Sequence, residues 1–219
     1  MTSIRAFGCA VIAALLAVSC SSAKSPNSAS TGVVPADMRD VERDGEGLVV
    51  TTFGAFPDRV PDWSRAGSVL GLLKEVWSRS KTANPDLPAA ESRSVDEAIT
   101  SLDTAIAAKD QKAAAYASNQ VGLAVPKLFD FFHPDAPFGV VRMDAVFRQI
   151  GLDAHFGDTS AARADLSSLQ SDWGATQATV DARVPTCHRV GGTATVSGDI
   201  TQSLAVFDSA LQASDLAMV

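Results

Sequence analysis

The chain has 219 residues, 46% of them apolar, with 25 acidic side chains against 18 basic ones and a formal charge of −7. An acidic chain without a basic cluster lacks the electrostatic footprint of a nucleic-acid binder, which argues against nucleic acid as a partner and against a polybasic grip on anionic lipid. The apolar content is enough to bury the core of one domain, or of a compact pair of small ones.

The first residues are short and polar, with Arg5 the single charge, and an apolar run follows from Ala6 to Val18, broken by Gly8 and Cys9. That run has the length of the hydrophobic core of a secretory signal, about 7–15 residues. It is too short to cross a bilayer, which takes roughly 20. Small residues come next, Ser19, Cys20, Ser21 and Ser22. The four residues Ala17-Val18-Ser19-Cys20 resemble the lipobox of bacterial lipoproteins, with Leu16 one place ahead of the position where that class favours Leu. The resemblance implies that cleavage makes Cys20 the first residue and that its sulfur is diacylated. Each buried acyl CH₂ contributes about 0.8 kcal/mol, so two chains hold a protein durably at a membrane. Ser21, rather than Asp, follows the cysteine. By the sorting of lipoproteins in cells with two membranes, that implies the periplasmic face of the outer membrane; with one membrane, the outer leaflet of the plasma membrane. The alternative is an ordinary secreted chain cut near Ala23.

Removing residues 1–19 takes away Arg5 and no carboxylate, so the charge moves from −7 to −8. Cys187 is then the one thiol besides Cys20, which leaves no internal disulfide although the compartment permits one. An unreactive Cys187 is the preferred reading over a nucleophile or an intermolecular bridge. Ser21 to Val34 is rich in Ser, Ala, Asn, Pro and Gly and reads as a tether. Asp37 to Gly47 mixes charges and glycines. "LVVTTFGAF", Leu48 to Phe56, is β-prone, bounded by Gly47 and Pro57, and has no partner strand, so it is expected as an extended segment packed on the helices that follow. The organisation expected is a signal over 1–19, a lipidated cysteine and tether over 20–47, and a helical domain over 48–219.

From Pro61 the periodicity is helical. Trp63, Val69, Leu70, Leu73, Val76 and Trp77 recur at three- and four-residue spacing and share one face of a helix near Asp62–Ser80. "ANPDLP", Ala83 to Pro88, stops it. Ser94 and Glu97 have the spacing of a capping box and are expected to open the next helix, through Ala108.

An internal repeat is legible there. The segment from Val95 aligns without gaps on the segment from Met143, forty-eight residues on, so that Asp96 falls on Asp144, Leu102 on Ile150 and Asp110 on Asp158. Leu204 to Asp215 matches Ile99 to Asp110 at its apolar positions. Each unit reads as a striped helix, a tight turn, and an Asp placed to cap the returning helix. One such hairpin cannot bury its stripe alone, so the units must pack together. Pairs over Ser94–Ala108 with Gln111–Phe132 and Gly139–Phe156 with Thr159–Ala182 are expected, plus a last helix near Ile200–Ala213. The fold class expected is all-α, an antiparallel bundle of about six helices built from repeated hairpins. The pattern resembles helix-hairpin repeats such as tetratricopeptide arrays but lacks their 34-residue period, and a closed bundle fits the same spacing.

Candidate site residues are few. "FDFFHPDAPFG", Phe129 to Gly139, brings His133 and Asp135 together as a candidate metal or proton-transfer pair; the preferred reading is a turn, with Pro134 blocking one helix and Pro137 opening the next. His155 lies near a helix end, where its charge would favour the last carbonyls. His188 adjoins Cys187, and two ligands alone make a weak metal site. Arg142, Asp144 and Arg148 are candidates for lining a binding cleft, with Arg148 four residues after Asp144 as in an ordinary surface pair. Asn119 and Gln120 sit mid-helix and are expected to face solvent. Haem-attachment, zinc, phosphate-loop and nucleophile-elbow motifs are absent from the sequence. No cofactor is therefore expected. The leading expectation is a non-enzymatic envelope lipoprotein, joined to the membrane by its lipid and to an envelope protein or peptide by its helices. A metal- or haem-binding bundle using His133, His155, His188, Met143 or Cys187 is the alternative, and an enzyme with a carboxylate-based site comes after that.

Overall fold

The computed structural model describes residues 33–54, 59–132, 138–183 and 196–213. Among the described residues seven α-helices follow one another: α1 (Ala36–Phe53), α2 (Trp63–Ala83), α3 (Ala89–Ala108), α4 (Gln111–Phe129), α5 (Phe138–His155), α6 (Thr159–Arg183) and α7 (Val196–Gln212), with one 3₁₀ turn at Asp130–Phe132. There is no strand among the described residues, and the expected all-α class holds. No described helix is long and apolar enough to cross a membrane. Residues 21–32 of the tether expected over Ser21–Val34, and Cys20 itself, lie outside the described residues.

The chain divides into two compact units, one formed by α1–α4 with the start of α5, the other by the rest of α5 with α6 and α7. In the first, α1 packs closely on α2 and α4, α4 on α3, and α3 more loosely on α2, which closes a four-helix ring. Short connections force neighbours to run in opposite directions. Side chains confirm the directions: Arg79, late in α2, reaches Asp37 at the start of α1, with Nε 3.6 Å from Oδ2, while Gln111 at the start of α4 donates to the Phe53 carbonyl at the end of α1 over 2.9 Å. Met38, Leu48, Leu73, Leu102, Val121 and Leu128 are fully buried in the shared core. Burying each such side chain contributes about 1.5–3 kcal/mol.

The expected extended segment is a correction. Residues 48–53 are the end of α1, and the helix starts at Ala36, ahead of the boundary expected at residue 48. Met38, Val41, Gly45, Leu48 and Thr52 fall at helical spacing and are buried. Their burial outweighs a β-preference worth a few tenths of a kcal/mol per residue. The hydroxyls of Thr51 and Thr52 turn back onto the Leu48 carbonyl, over 3.1 and 2.6 Å, so neither is left unsatisfied in the core. Gly45 allows α1 to lie against α4, because a Cβ there would meet Val121 Cγ1 at 2.9 Å. Gly54 ends α1 at φ 88°, where a side chain would collide with the backbone of Arg59 and Val60.

The start of α3 is a second correction. It begins at Ala89, directly after Pro88, so Ser94 is inside the helix and its Oγ donates to the Ala90 carbonyl over 3.1 Å instead of capping. Proline is well tolerated at a helix start, and Ala89–Arg93 carries no residue that opposes a helix. The other helices lie where periodicity places them.

The two turns forty-eight residues apart are alike. Lys109 and Gly157 both adopt left-handed backbone, at φ 53° and 84°. Asp110 N–H donates to the Ala105 carbonyl and Asp158 N–H to that of Asp153, over 3.0 and 2.7 Å, the six-to-one bond of a Schellman turn. Asp110 Oδ1 then accepts from Ala113 N–H and Asp158 Oδ1 from Ala161 N–H, both at 3.0 Å. Both aspartates cap as expected.

In the second unit α6 and α7 run antiparallel. Trp173 Nε1 donates to Thr201 Oγ1 over 3.0 Å, Gln177 Nε2 to Ser197 Oγ over 2.8 Å, and Arg163 Nη2 to the Leu211 carbonyl over 2.8 Å. Phe147 of α5 meets Phe207 of α7 with ring centroids 5.3 Å apart.

Candidate functional site

Among the described residues a shallow concavity lies between α3 and α4. It is an open groove of about 330 Å³ lined by Ser94, Glu97, Ala98 and Ser101 of α3, with Ala117, Gln120, Leu123, Ala124 and Lys127 of α4. Its origin is local. Ser94, Ala98 and Ser101 are three or four residues apart, as are Ala117, Gln120, Ala124 and Lys127, so each set forms one helical stripe. Small side chains on both stripes leave the floor shallow, while Glu97, Gln120 and Lys127 stand exposed. Those three have no hydrogen bond or ion pair among the described residues. A carboxylate, a primary amide and an ammonium around an apolar floor suit the reversible recognition of a polar chain, since together they offer donors and acceptors to groups of either kind.

The neighbouring face of α4 is different. Asn119, expected to face solvent, is fully buried, and its Nδ2 donates to the Ala145 carbonyl of α5 over 2.9 Å. This is a correction to the sequence reading; Gln120, the next residue, is exposed as expected. Ser118 is buried beside it, donating to the Ala114 carbonyl over 2.7 Å and lying 3.3 Å from Thr52 Oγ1 of α1. Polar groups inside a core must be paired in this way, and their directional bonds set how α1 and α5 lie on α4.

On the adjoining α2–α3 side, Asp96 Oδ1 accepts from both Trp77 Nε1 and Lys81 Nζ, each over 2.7 Å, and Lys81 lies 5.3 Å from the Trp77 ring centroid. These contacts join α2 to α3 where their packing is loosest.

The residues expected from sequence are dispersed. Arg142, Asp144 and Arg148 are half-buried on α5, each already engaged by a neighbour. His155 is exposed in the last turn of α5, its ring edge-on to Phe156 at 4.9 Å, which is the helix-end position expected of it. Cys20, His133, Asp135, Cys187 and His188 lie outside the described residues. No group of three or more His, Cys, Asp or Glu side chains gathers to a metal-binding arrangement among the described residues. Sequence reasoning missed Glu97, Ser101 and Lys127 of the groove. The available signal was the run of small residues at helical spacing on two helices joined by a two-residue turn.

Comparison of the chain with protein-family models, with characterised proteins and with solved structures finds no match.

Proposed function

We propose that the chain is a cell-envelope lipoprotein whose helical body is a binding or assembly module. The single observation that carries this reading is Ala17-Val18-Ser19-Cys20, placed at the end of an apolar run of signal length and ahead of a long acidic chain. The all-helical body and the α3–α4 groove support it, the groove as the face on which a polar segment of an envelope protein would lie. Two acyl chains on Cys20 supply the membrane attachment, and the acidic body takes no part in it electrostatically. The location follows from the same residues: the periplasmic face of an outer membrane, or the outer leaflet of a plasma membrane where there is no second one.

Fractionation of cells tests the anchor. The native chain stays with membranes after washing in high salt, and Cys20→Ser moves it to the soluble or secreted fraction; a Cys20→Ser chain still held by membranes overturns the reading. The module is tested by a photo-activated cross-linker in place of Gln120, against the same group in place of exposed Ser78 on α2. Defined adducts from the groove alone support binding there. Equal adducts from both positions, or none, remove it.

A further inference from the structure

We infer that the end of the α1–α4 bundle from which the chain leads back to Cys20 rests on the bilayer, with Val33 and Phe131 entering the lipid interface. The inference rests on the lipoprotein reading and adds a contact between the body and the membrane that holds it.

Val34 is buried in the bundle core, so only residues 21–33 separate Cys20 from the folded body. Fully extended, thirteen residues reach at most about 45 Å. α1, with 18 residues, is about 27 Å long. The near end of the bundle is the one joined directly to the leash, and the far end is a helix length further along the chain from Cys20.

The near end also exposes apolar side chains. It holds the start of α1, the end of α2 and the end of α4, as the Arg79–Asp37 contact and the antiparallel course of the helices require. The 3₁₀ turn after α4 is at this end, and there Phe131 is 39% exposed while Phe132 packs edge-on against it, centroids 5.2 Å apart, and against the core. Phe131 is thus an aromatic ring supported from beneath and presented outward. Val33, just before the buried Val34, is 74% exposed. Aromatic and aliphatic side chains of this kind partition into the interface region of a bilayer. The charged groups at this end are mixed in sign: Arg79 and Lys81 pair with Asp37 and Asp96, exposed Arg39 and Arg93 stand at the starts of α1 and α3, and Asp86 and Asp130 lie with Lys127, so the contact suits a zwitterionic surface. The far end also exposes apolar residues, Val50 and Val60, and the point of attachment of the leash rather than hydrophobicity decides between the two. A contact of two side chains is weak alone, but tethering turns it into an intramolecular event at an effective concentration of about a millimolar.

The test uses the full lipidated chain in phosphatidylcholine vesicles with or without brominated acyl chains, which quench indoles at interface depth. Phe131→Trp and, as a second probe, Val33→Trp gain emission that brominated lipid quenches and that shifts to shorter wavelength on vesicles. Val60→Trp at the far end gains emission that it does not quench. Unquenched indoles at both near-end positions, or equal quenching at Val60, overturn the docking. The mass of the N-terminal peptide is read on the same sample. If Cys20 carries no acyl chain, the lipoprotein reading falls with the docking; if Cys20 is acylated and the near-end indoles stay unquenched, the docking alone falls.

Discussion

The α1–α4 bundle and the α6–α7 pair are held together in different ways. In the bundle each helix presents a broad apolar stripe, and Met38, Leu73, Leu102, Val121 and Leu128 interlock with no exposed surface. In the pair, α6 carries Ala, Ser and Gly on most of its faces, and its stripe narrows to Ala162, Leu166, Leu169, Trp173 and Val180. Three directional bonds from Trp173, Gln177 and Arg163 bridge to α7. Where the stripe is wide, shape sets the register of two helices. Where it is narrow, hydrogen bonds do, because a bond between fixed partners tolerates less sliding than a surface of small side chains.

Substitutions sharpen this contrast. The largest loss is expected from Leu102→Ala, which opens a cavity in the interlocked core and lowers stability by about 2–5 kcal/mol, read as the shift of a urea midpoint at unchanged slope. Next is Gly45→Ala, whose methyl group enters the space of Val121 and costs about 1–3 kcal/mol unless α1 moves off α4. Asp110→Ala and Asp158→Ala each remove a cap of the same geometry and are expected to cost about 1 kcal/mol apiece. Equal losses would show that the two turns are energetically as well as geometrically alike. Trp173→Phe keeps most of the buried ring and deletes one hydrogen bond, at about 0.5–1.5 kcal/mol; amide exchange should then speed up in α6 and α7 while the bundle is unaffected. Lys74→Ala removes an ion pair to Asp103 whose partners are 43% and 56% exposed, so its loss is expected within about 0–1 kcal/mol and to vanish in high salt.

Most of the helical architecture was legible because the stripes are long and the stops are chemical. The spacing from Trp63 to Trp77 and the prolines after Ala83 mark α2 to within a few residues, and Asp110 and Asp158 announce the turns they cap. The start of the body was not legible, since Val49, Val50, Thr51 and Thr52 have β-branched side chains in a row. Only the partners of α1, chiefly Val121, Ser118 and Gln111, explain why that run is helical. The capping-box pattern at Ser94 misled for a related reason. A local motif competes with a proline six residues earlier that already fixes where the helix begins.

The candidate groove was less legible than the fold. Nothing in the types or spacing of Glu97, Gln120 and Lys127 separates them from any solvated helix face; a concavity depends on how far apart two helices stand, which the small side chains at Ala98 and Ala117 govern only once α3 and α4 are paired. Asn119 shows the reverse error. A mid-helix amide next to an exposed one reads as surface, yet a third helix covers it and takes its hydrogen bond at Ala145.

The proposal that a lipid moors this helical body is tested most directly by the mass of its N-terminal peptide, from protein purified out of the producing cell's membranes. The expected peptide begins at Cys20 and carries the added mass of a diacylglyceryl group. A peptide that begins at Met1, or one that contains Cys20 without acyl mass, would contradict it.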